Sequence, residues 1–167
     1  MKAYQIKFTK PFMNILLASE GFDAFLVEEV SITTFNTFHI DGHIVKEFYN
    51  KDELTENDSV VPSLSAWSTI RPICFQLIKG KKPPVSFRVV LYAPQSWLEA
   101  LAANEECEVN TNLIQSLVLN IRYDNGHVTC ITGSSFTTFI MDKSVDRLWD
   151  NEVKQLLTKM QLDFDEI

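Results

Sequence analysis

Two Asx-Gly dipeptides constrain the fold more than any other feature of the sequence. They lie 84 positions apart, in Asp41-Gly42-His43-Ile44 and in Asn125-Gly126-His127-Val128. Asp-Gly and Asn-Gly favour the two-residue turns that connect antiparallel strands. We therefore predict a β-hairpin at each site, and the similar surroundings of the two sites indicate an internal duplication.

Strand-like and helix-like patterns recur at nearly the same spacing. Alternating apolar residues, which put their side chains on one face of a strand, begin each half of the chain: Tyr4, Ile6 and Phe8, then Phe87, Val89 and Leu91. Each is followed by an apolar helical stripe, consisting of Phe12, Ile15 and Leu16 in the first half and Trp97, Leu98 and Leu101 in the second. Thr9 is the predicted N-cap of the first helix, and Pro94 precedes the second. Each half thus predicts a strand, a helix, a linker and a hairpin.

The second hairpin has the clearer pattern. A two-residue turn at Asn125-Gly126 pairs Tyr123 with Val128. The predicted core face then consists of Leu117, Leu119, Ile121, Tyr123, Val128 and Cys130. We expect a turn at residues 133–135 to lead into a third strand at residues 136–141. In the first half, residues 25–40 are rich in β-forming residues and predict either one bent strand or two.

Two further helices are predicted. A central stripe ends at Gly80, before Pro83-Pro84, and is formed by Leu64, Trp67, Ile70, Cys74, Leu77 and Ile78. Pro72 predicts either a kink in this helix or a start near Ser68. The C-terminal helix, residues 144–161, presents a stripe that we expect to pack on the sheet: Val145, Leu148, Trp149, Val153, Leu156, Leu157 and Met160.

These elements define an α+β fold in one domain, residues 1–167. It consists of a first repeat unit at 3–49, an acidic loop, helix and basic linker at 50–84, a second unit at 85–141, and the C-terminal helix at 144–161. Each unit is predicted to contain a strand, a helix and three further strands in that order. The strands are expected to form a mainly antiparallel sheet with helices packed on it. The two units are compatible with one continuous sheet or with two packed sheets.

Composition limits the location of the protein and its chemistry. No apolar run approaches the roughly 20 residues that span a bilayer, and no long apolar stretch follows Met1. The three cysteines, Cys74, Cys107 and Cys130, are odd in number and lack the paired spacing of a disulfide framework or a zinc site. We therefore expect a cytoplasmic protein that does not bind membranes.

One basic cluster is concentrated enough to be a candidate binding site. Lys79, Lys81 and Lys82 lie in the linker after the central helix, and Arg88 follows soon after. Lysines on a linker can contact phosphates or an acidic partner. The simpler alternative is that they are solvated surface charges. The net charge of −7 argues against nucleic-acid binding over the whole surface.

Catalytic and metal-binding patterns are weak. With a turn at Asp41-Gly42, His39 and His43 point to opposite faces, so we predict no metal site. A hydrolytic set can be assembled from Ser134 or Ser135, His127 and Asp142, but no Gly-x-Ser-x-Gly motif is present. No glycine-rich phosphate-binding loop occurs either. We predict no catalytic residue and no cofactor.

Two resemblances supplement these patterns. Residues 72–82, 119–126 and 132–133 resemble an uncharacterised bacterial family of unknown function. Residues 86–92, 94–102 and 117–140 resemble, in order and spacing, the second unit of a DNA sliding-clamp domain. The second resemblance implies a clamp-like fold and association with DNA. The predicted helices, however, offer only Lys10 in the first and no basic residue in the second, where a ring-lining helix would need a basic face.

The sequence as a whole predicts a non-catalytic, cytoplasmic binding or scaffolding protein. Its expected partner is a macromolecule, with protein favoured over nucleic acid, and homo-oligomer formation is left open. A DNA-associated, clamp-like processivity factor and an enzyme with an unrecognised site are the alternatives.

Overall fold

The computed structural model describes residues 1–50, 53 and 63–167, and this part of the chain contains seven strands and four α-helices. In chain order they are β1 (Ala3–Ile6), α1 (Thr9–Ala18), β2 (Leu26–Thr33), β3 (Thr37–Asp41), α2 (Trp67–Ile78), β4 (Ser86–Tyr92), α3 (Gln95–Ala102), β5 (Ile114–Asp124), β6 (His127–Phe136), α4 (Ser144–Lys159) and β7 (Phe164–Glu166). The predicted α+β class is confirmed. Most of the predicted acidic loop at 50–57 lies outside the described residues.

All seven strands form one antiparallel sheet in the order β3-β2-β4-β5-β6-β1-β7. The choice between one sheet and two is thereby decided. Buried residues from all four helices join one hydrophobic core with alternate residues of the strands. The opposite face, here called the open face, carries exposed side chains such as Arg88, Arg122 and Asp124. Among the described residues, no helix is long and apolar enough to cross a membrane.

The β5–β6 hairpin confirms the predicted register. Tyr123 pairs with Val128, and Ile121 pairs with Cys130. Asn125 and Gly126 have φ angles of 49° and 82°, as a two-residue type I′ turn requires. The six residues predicted for the core face of this hairpin are all buried.

The prediction of a turn at residues 133–135 is wrong. Strand β6 continues to Phe136, with Gly133 paired to Val118 and Ser135 paired to Ser116. The predicted third strand at 136–141 is absent beyond that point. The physical reason is the length of β5, which begins at Ile114 and offers hydrogen-bonding partners that outweigh the local turn preference of Gly-Ser-Ser.

The prediction of a hairpin turn at Asp41-Gly42 is also wrong. Residues 25–40 contain two strands, β2 and β3, joined by a short loop at residues 34–36. Gly42 instead lies at the end of β3, beside the irregularity between Val27 and Glu29 in β2. Its N–H donates to the Glu28 carbonyl (3.0 Å), and a Cβ added to it would lie 1.8 Å from the Val27 carbonyl oxygen. Glycine is required at position 42 because the backbones of β3 and β2 approach closely there, and not because the chain turns.

The helices follow the predicted stripes with different ends. The Thr9 side chain does not cap α1; its hydroxyl donates to the Gly126 carbonyl (2.8 Å) in the β5–β6 turn. Helix α2 begins at Trp67 and contains Pro72 in its second turn. Helix α4 ends at Lys159, and the unpredicted strand β7 then pairs with β1.

Candidate functional site

Three of the four predicted basic site residues line one groove. This basic groove of about 640 Å³ is formed by residues 34–35 of the β2–β3 loop, residues 76–83 at the end of α2 and in the linker, and Val85. The Val85 N–H donates to the Thr33 carbonyl (2.9 Å), which ties the linker to the end of β2. The groove therefore joins a helix end to a hairpin loop that lies about 40 residues earlier in the chain.

Local backbone chemistry explains why the lysines surround the groove. Helix α2 ends at Ile78, and the Lys79 N–H still bonds to the Phe75 carbonyl (2.8 Å). Gly80 then adopts a φ of 152°, which residues with a Cβ rarely adopt, and Pro83 cannot continue a helix. The helix therefore ends here, and Lys79, Lys81 and Lys82 line the groove from the linker that leads to β4.

The groove has an apolar floor beside its charges. Phe35 is 85% exposed and Val85 is 64% exposed, whereas Leu77 and Ile78 are half-buried against the core. Phe35 packs edge-on against Phe38, with ring centroids 5.7 Å apart, so the loop aromatic is supported from within its own hairpin. Adjacent exposed apolar side chains rimmed by charge are typical of an interaction surface.

The three groove lysines are exposed, and none forms an ion pair with a described residue. Arg88 is not part of this group. It lies on the open face of β4, where its Nη1 is 2.8 Å from Glu29 Oε1 and where it stands opposite Arg122. Phe35 and Val85 line the same groove but do not stand out in the sequence, where their only local signal is an apolar residue in a polar loop or linker.

A smaller pocket of about 240 Å³ brings together two histidines that we predicted to point apart. His39, Asp41 and His43 all line it, together with Glu28 and Glu29. Because the backbone stays extended through Asp41 instead of turning, every second side chain, at positions 39, 41 and 43, lies on the same side. Among the described residues, no group of three or more His, Cys, Asp or Glu side chains is arranged to hold a metal ion.

His43 in this pocket has an altered pKa. Its Nδ1 lies 2.6 Å from Asp41 Oδ1, and its Nε2 lies 3.9 Å from Glu28 Oε2. The hydrogen bond with Asp41 raises the pKa of His43, and the Glu28 carboxylate raises it further. The His43 backbone N–H, followed by its side chain, lowers the pKa of Asp41. The contact therefore stabilises the fold at pH values below the ordinary histidine pKa and loses that effect as pH rises through the raised value.

We expect an NMR titration to give His43 a pKa above the ordinary histidine value of about 6.5. The Asp41→Asn variant should lower this pKa because the acceptor charge is lost. Asp124→Asn, which changes an exposed carboxylate on β5, serves as the control. An unchanged His43 pKa in Asp41→Asn would contradict the contact.

The residues of the hydrolytic alternative do not converge. His127 begins β6 and Ser134 lies seven residues further along the strand, a separation of roughly 23 Å at strand rise. The Ser134 hydroxyl donates to the Asp146 carboxylate, and Asp142 accepts from Ser144. Ser135 donates to Gln115. This particular set cannot act as a catalytic triad.

All three cysteines are free, and two of them are inaccessible. Burial raises the pKa of the Cys74 thiol to about 12 and also raises the pKa of Cys130. A thiol in this state is protonated near neutral pH and is a poor nucleophile. These cysteines serve as core residues.

Comparison with known protein families gives the affiliation of the chain. A family described as "Family of unknown function (DUF5721)" matches residues 15–165, well over half of the chain. The chain belongs to this family. The DUF5721 match begins within α1 and includes the basic groove, and it confirms the predicted membership in a family of unknown function. No curated protein and no solved structure matches the chain.

Proposed function

We propose that this DUF5721 protein is a non-catalytic binding protein that holds an acidic segment of a partner protein in the basic groove. The observation that carries the proposal is the juxtaposition of three exposed lysines with the exposed side chains of Phe35 and Val85. In this role, Lys79, Lys81 and Lys82 pair with carboxylates of the partner. An apolar partner side chain covers the groove floor and removes its surface from water.

The lining of the groove favours a protein segment over a nucleic acid. Proteins that bind single-stranded nucleic acids combine basic residues with aromatic platforms on which bases stack. Among the described residues that line the groove, Phe35 is the single aromatic one, whereas Leu77, Ile78, Pro83 and Val85 are aliphatic. The net charge of −7 also opposes the approach of a long polyanion.

A clamp-like DNA-associated factor is the second candidate, and the element order supports it. Strand-helix-strand-strand occurs twice, as β1-α1-β2-β3 and as β4-α3-β5-β6, and the first strands begin 83 residues apart, at Ala3 and Ser86. An internal repeat is part of this candidate, although the two Asx-Gly sites are not equivalent within it. The candidate requires ring or dimer formation in light scattering and salt-sensitive DNA retardation; a monomer that leaves DNA unretarded at low salt would remove it.

A cytoplasmic location completes the proposal. It is supported by three unpaired cysteines, two of which lie in the hydrophobic core. Disulfides form in oxidising compartments and are rare in the cytosol. Fractionation of the native host cells, followed by detection of the protein in each fraction, tests this part of the proposal independently of binding.

Selection from a peptide library displayed on phage tests the groove. The wild-type protein should enrich peptides that combine Asp or Glu with Leu, Ile or Phe. The triple variant Lys79→Glu, Lys81→Glu, Lys82→Glu should bind a synthetic copy of the most enriched peptide about tenfold more weakly or worse, because three attractions become repulsions. Fluorescence anisotropy measures the affinity, which should also fall as salt is raised.

The matched control is Lys10→Glu, Lys46→Glu, Lys159→Glu, which reverses three exposed lysines outside the groove and changes the net charge equally. This control should bind the peptide with at most a small loss. Equal losses in both triple variants would show that overall charge, not the groove, attracts the peptide. Enrichment of basic or uncharged peptides, or a higher affinity for oligo-dT than for the selected peptide, would contradict the proposal.

A further inference from the structure

A small cavity separate from the basic groove lies between α3 and α4, above β5. Its volume is about 170 Å³. The apolar part of its wall includes Trp97 from α3, Leu117 from β5, and Leu148 and Trp149 from α4. We call it the tryptophan cavity. It shares no lining residue with the basic groove, so its ligand is a separate question.

The aromatic wall of this cavity is held in place by its neighbours. The rings of Trp97 and Trp149 meet edge-on with centroids 5.7 Å apart. Phe25 packs against both, at centroid distances of 5.2 and 6.4 Å. Trp149 Nε1 donates to the Val118 carbonyl (2.8 Å), which fixes that ring. The surface is therefore preformed, and few protein side chains need to become ordered when a ligand binds.

The polar side chains lining the cavity have a bias in charge. They are Asn104, which lies two residues after α3, and Glu152 from α4. Glu152 is exposed and forms no ion pair with any residue in the described part of the chain. The faces of indole rings attract cations, as does a carboxylate. Both features favour a positive ligand and disfavour an anion.

Size sets the second requirement on the ligand. An apolar cavity of about 150 Å³ accommodates a benzene molecule, so the tryptophan cavity accepts an apolar body of roughly six to eight non-hydrogen atoms. A ligand with an apolar body and one cationic end can pack against the apolar wall and pair with the Glu152 carboxylate.

We propose that the tryptophan cavity binds a small organic cation, an alkyl- or arylammonium, with its apolar body against Trp97, which the buried Trp149 supports, and its ammonium group toward Glu152. The cavity then discriminates its ligand by charge as well as by size.

Titration with three probes of similar size tests this site: benzylamine as the cation, benzyl alcohol as its neutral isostere, and benzoate as the anion. The indole N–H signals of Trp97 and Trp149 in NMR spectra report binding. We expect benzylamine to bind about five- to tenfold more tightly than benzyl alcohol, and benzoate to bind most weakly. Glu152→Gln should reduce the preference for benzylamine to the smaller part that the indole ring supplies, while leaving benzyl alcohol affinity unaffected.

Glu99→Gln, on the exposed side of α3, is the matched control and should keep the preference. Trp97→Phe keeps an aromatic wall but weakens the attraction to a cation, so it should reduce benzylamine affinity more than benzyl alcohol affinity. Equal affinities for benzylamine and benzyl alcohol in the wild type would overturn the proposal. So would the absence of any saturable change in the two indole signals.

Discussion

Replacing Gly42 with alanine should destabilise the protein by roughly 3–5 kcal/mol, because a Cβ at this position cannot be accommodated without moving the backbone of β2. The added carbon would lie 1.8 Å from the Val27 carbonyl oxygen and 3.1 Å from that of Glu28. These atoms cannot move freely, since the Val27 N–H bonds to Ser65 (2.8 Å) and Val27 pairs with Leu91 in β4. Urea denaturation measures the loss in the free energy of unfolding.

Gly133→Ala is the control for this substitution. Gly133 also lies in the sheet, but a Cβ there would meet Val118 Cβ at 3.8 Å, which is ordinary van der Waals contact. The free energy of unfolding of Gly133→Ala should differ from that of the wild type by less than about 1 kcal/mol. If Gly42→Ala were as stable as Gly133→Ala, the close approach of β3 to β2 would be wrong, and with it the grouping of His39 and His43.

Truncating Trp67 to alanine should lower the free energy of unfolding by about 3–5 kcal/mol, the range for a fully buried large aromatic side chain. Trp67 is 0% exposed and starts α2. Its Nε1 donates to the Leu16 carbonyl of α1 (3.0 Å), so the variant also loses a buried hydrogen bond between the two helices. Because α2 carries one wall of the basic groove, peptide affinity should fall as the helix loosens. Urea denaturation and the anisotropy assay measure the two effects.

Ile73→Ala is the matched change within α2. Ile73 is 51% exposed, so its truncation should cost less than about 1 kcal/mol and leave peptide binding intact. Similar losses of stability in the two variants would mean that Trp67 does not anchor α2 to α1.

The extent to which the fold could be predicted depends on how local its determinants are. The β5–β6 hairpin was predictable because its turn, Asn125-Gly126, and its alternation lie within one short segment. The same type of dipeptide at Asp41-Gly42 forms no hairpin turn, because its role depends on the irregularity of β2, about 14 residues earlier. Local turn preference likewise failed at Gly133, where a long partner strand decides the structure.

The candidate site also combines residues that local sequence predicts with residues that only the folded structure brings together. The groove lysines were predictable from a local concentration of charge, whereas Phe35 reaches the groove only because the β2–β3 loop lies beside the end of α2. Arg88 lies close to the lysines in sequence but not in the groove. Its alternation with the buried Phe87 and Val89 is the signal that assigns it to the open face instead.

Mapping the bound peptide on the protein tests the central claim most directly. In ¹H–¹⁵N NMR spectra, the most enriched acidic peptide from the library should shift the amide signals of Phe35, Val85 and residues 77–82, and it should leave the open face around Arg88 and Arg122 unchanged. The same peptide should cause no such shifts in Lys79→Glu, Lys81→Glu, Lys82→Glu. Shifts confined to the open face, or identical shifts in the wild type and the triple variant, would contradict binding in the basic groove.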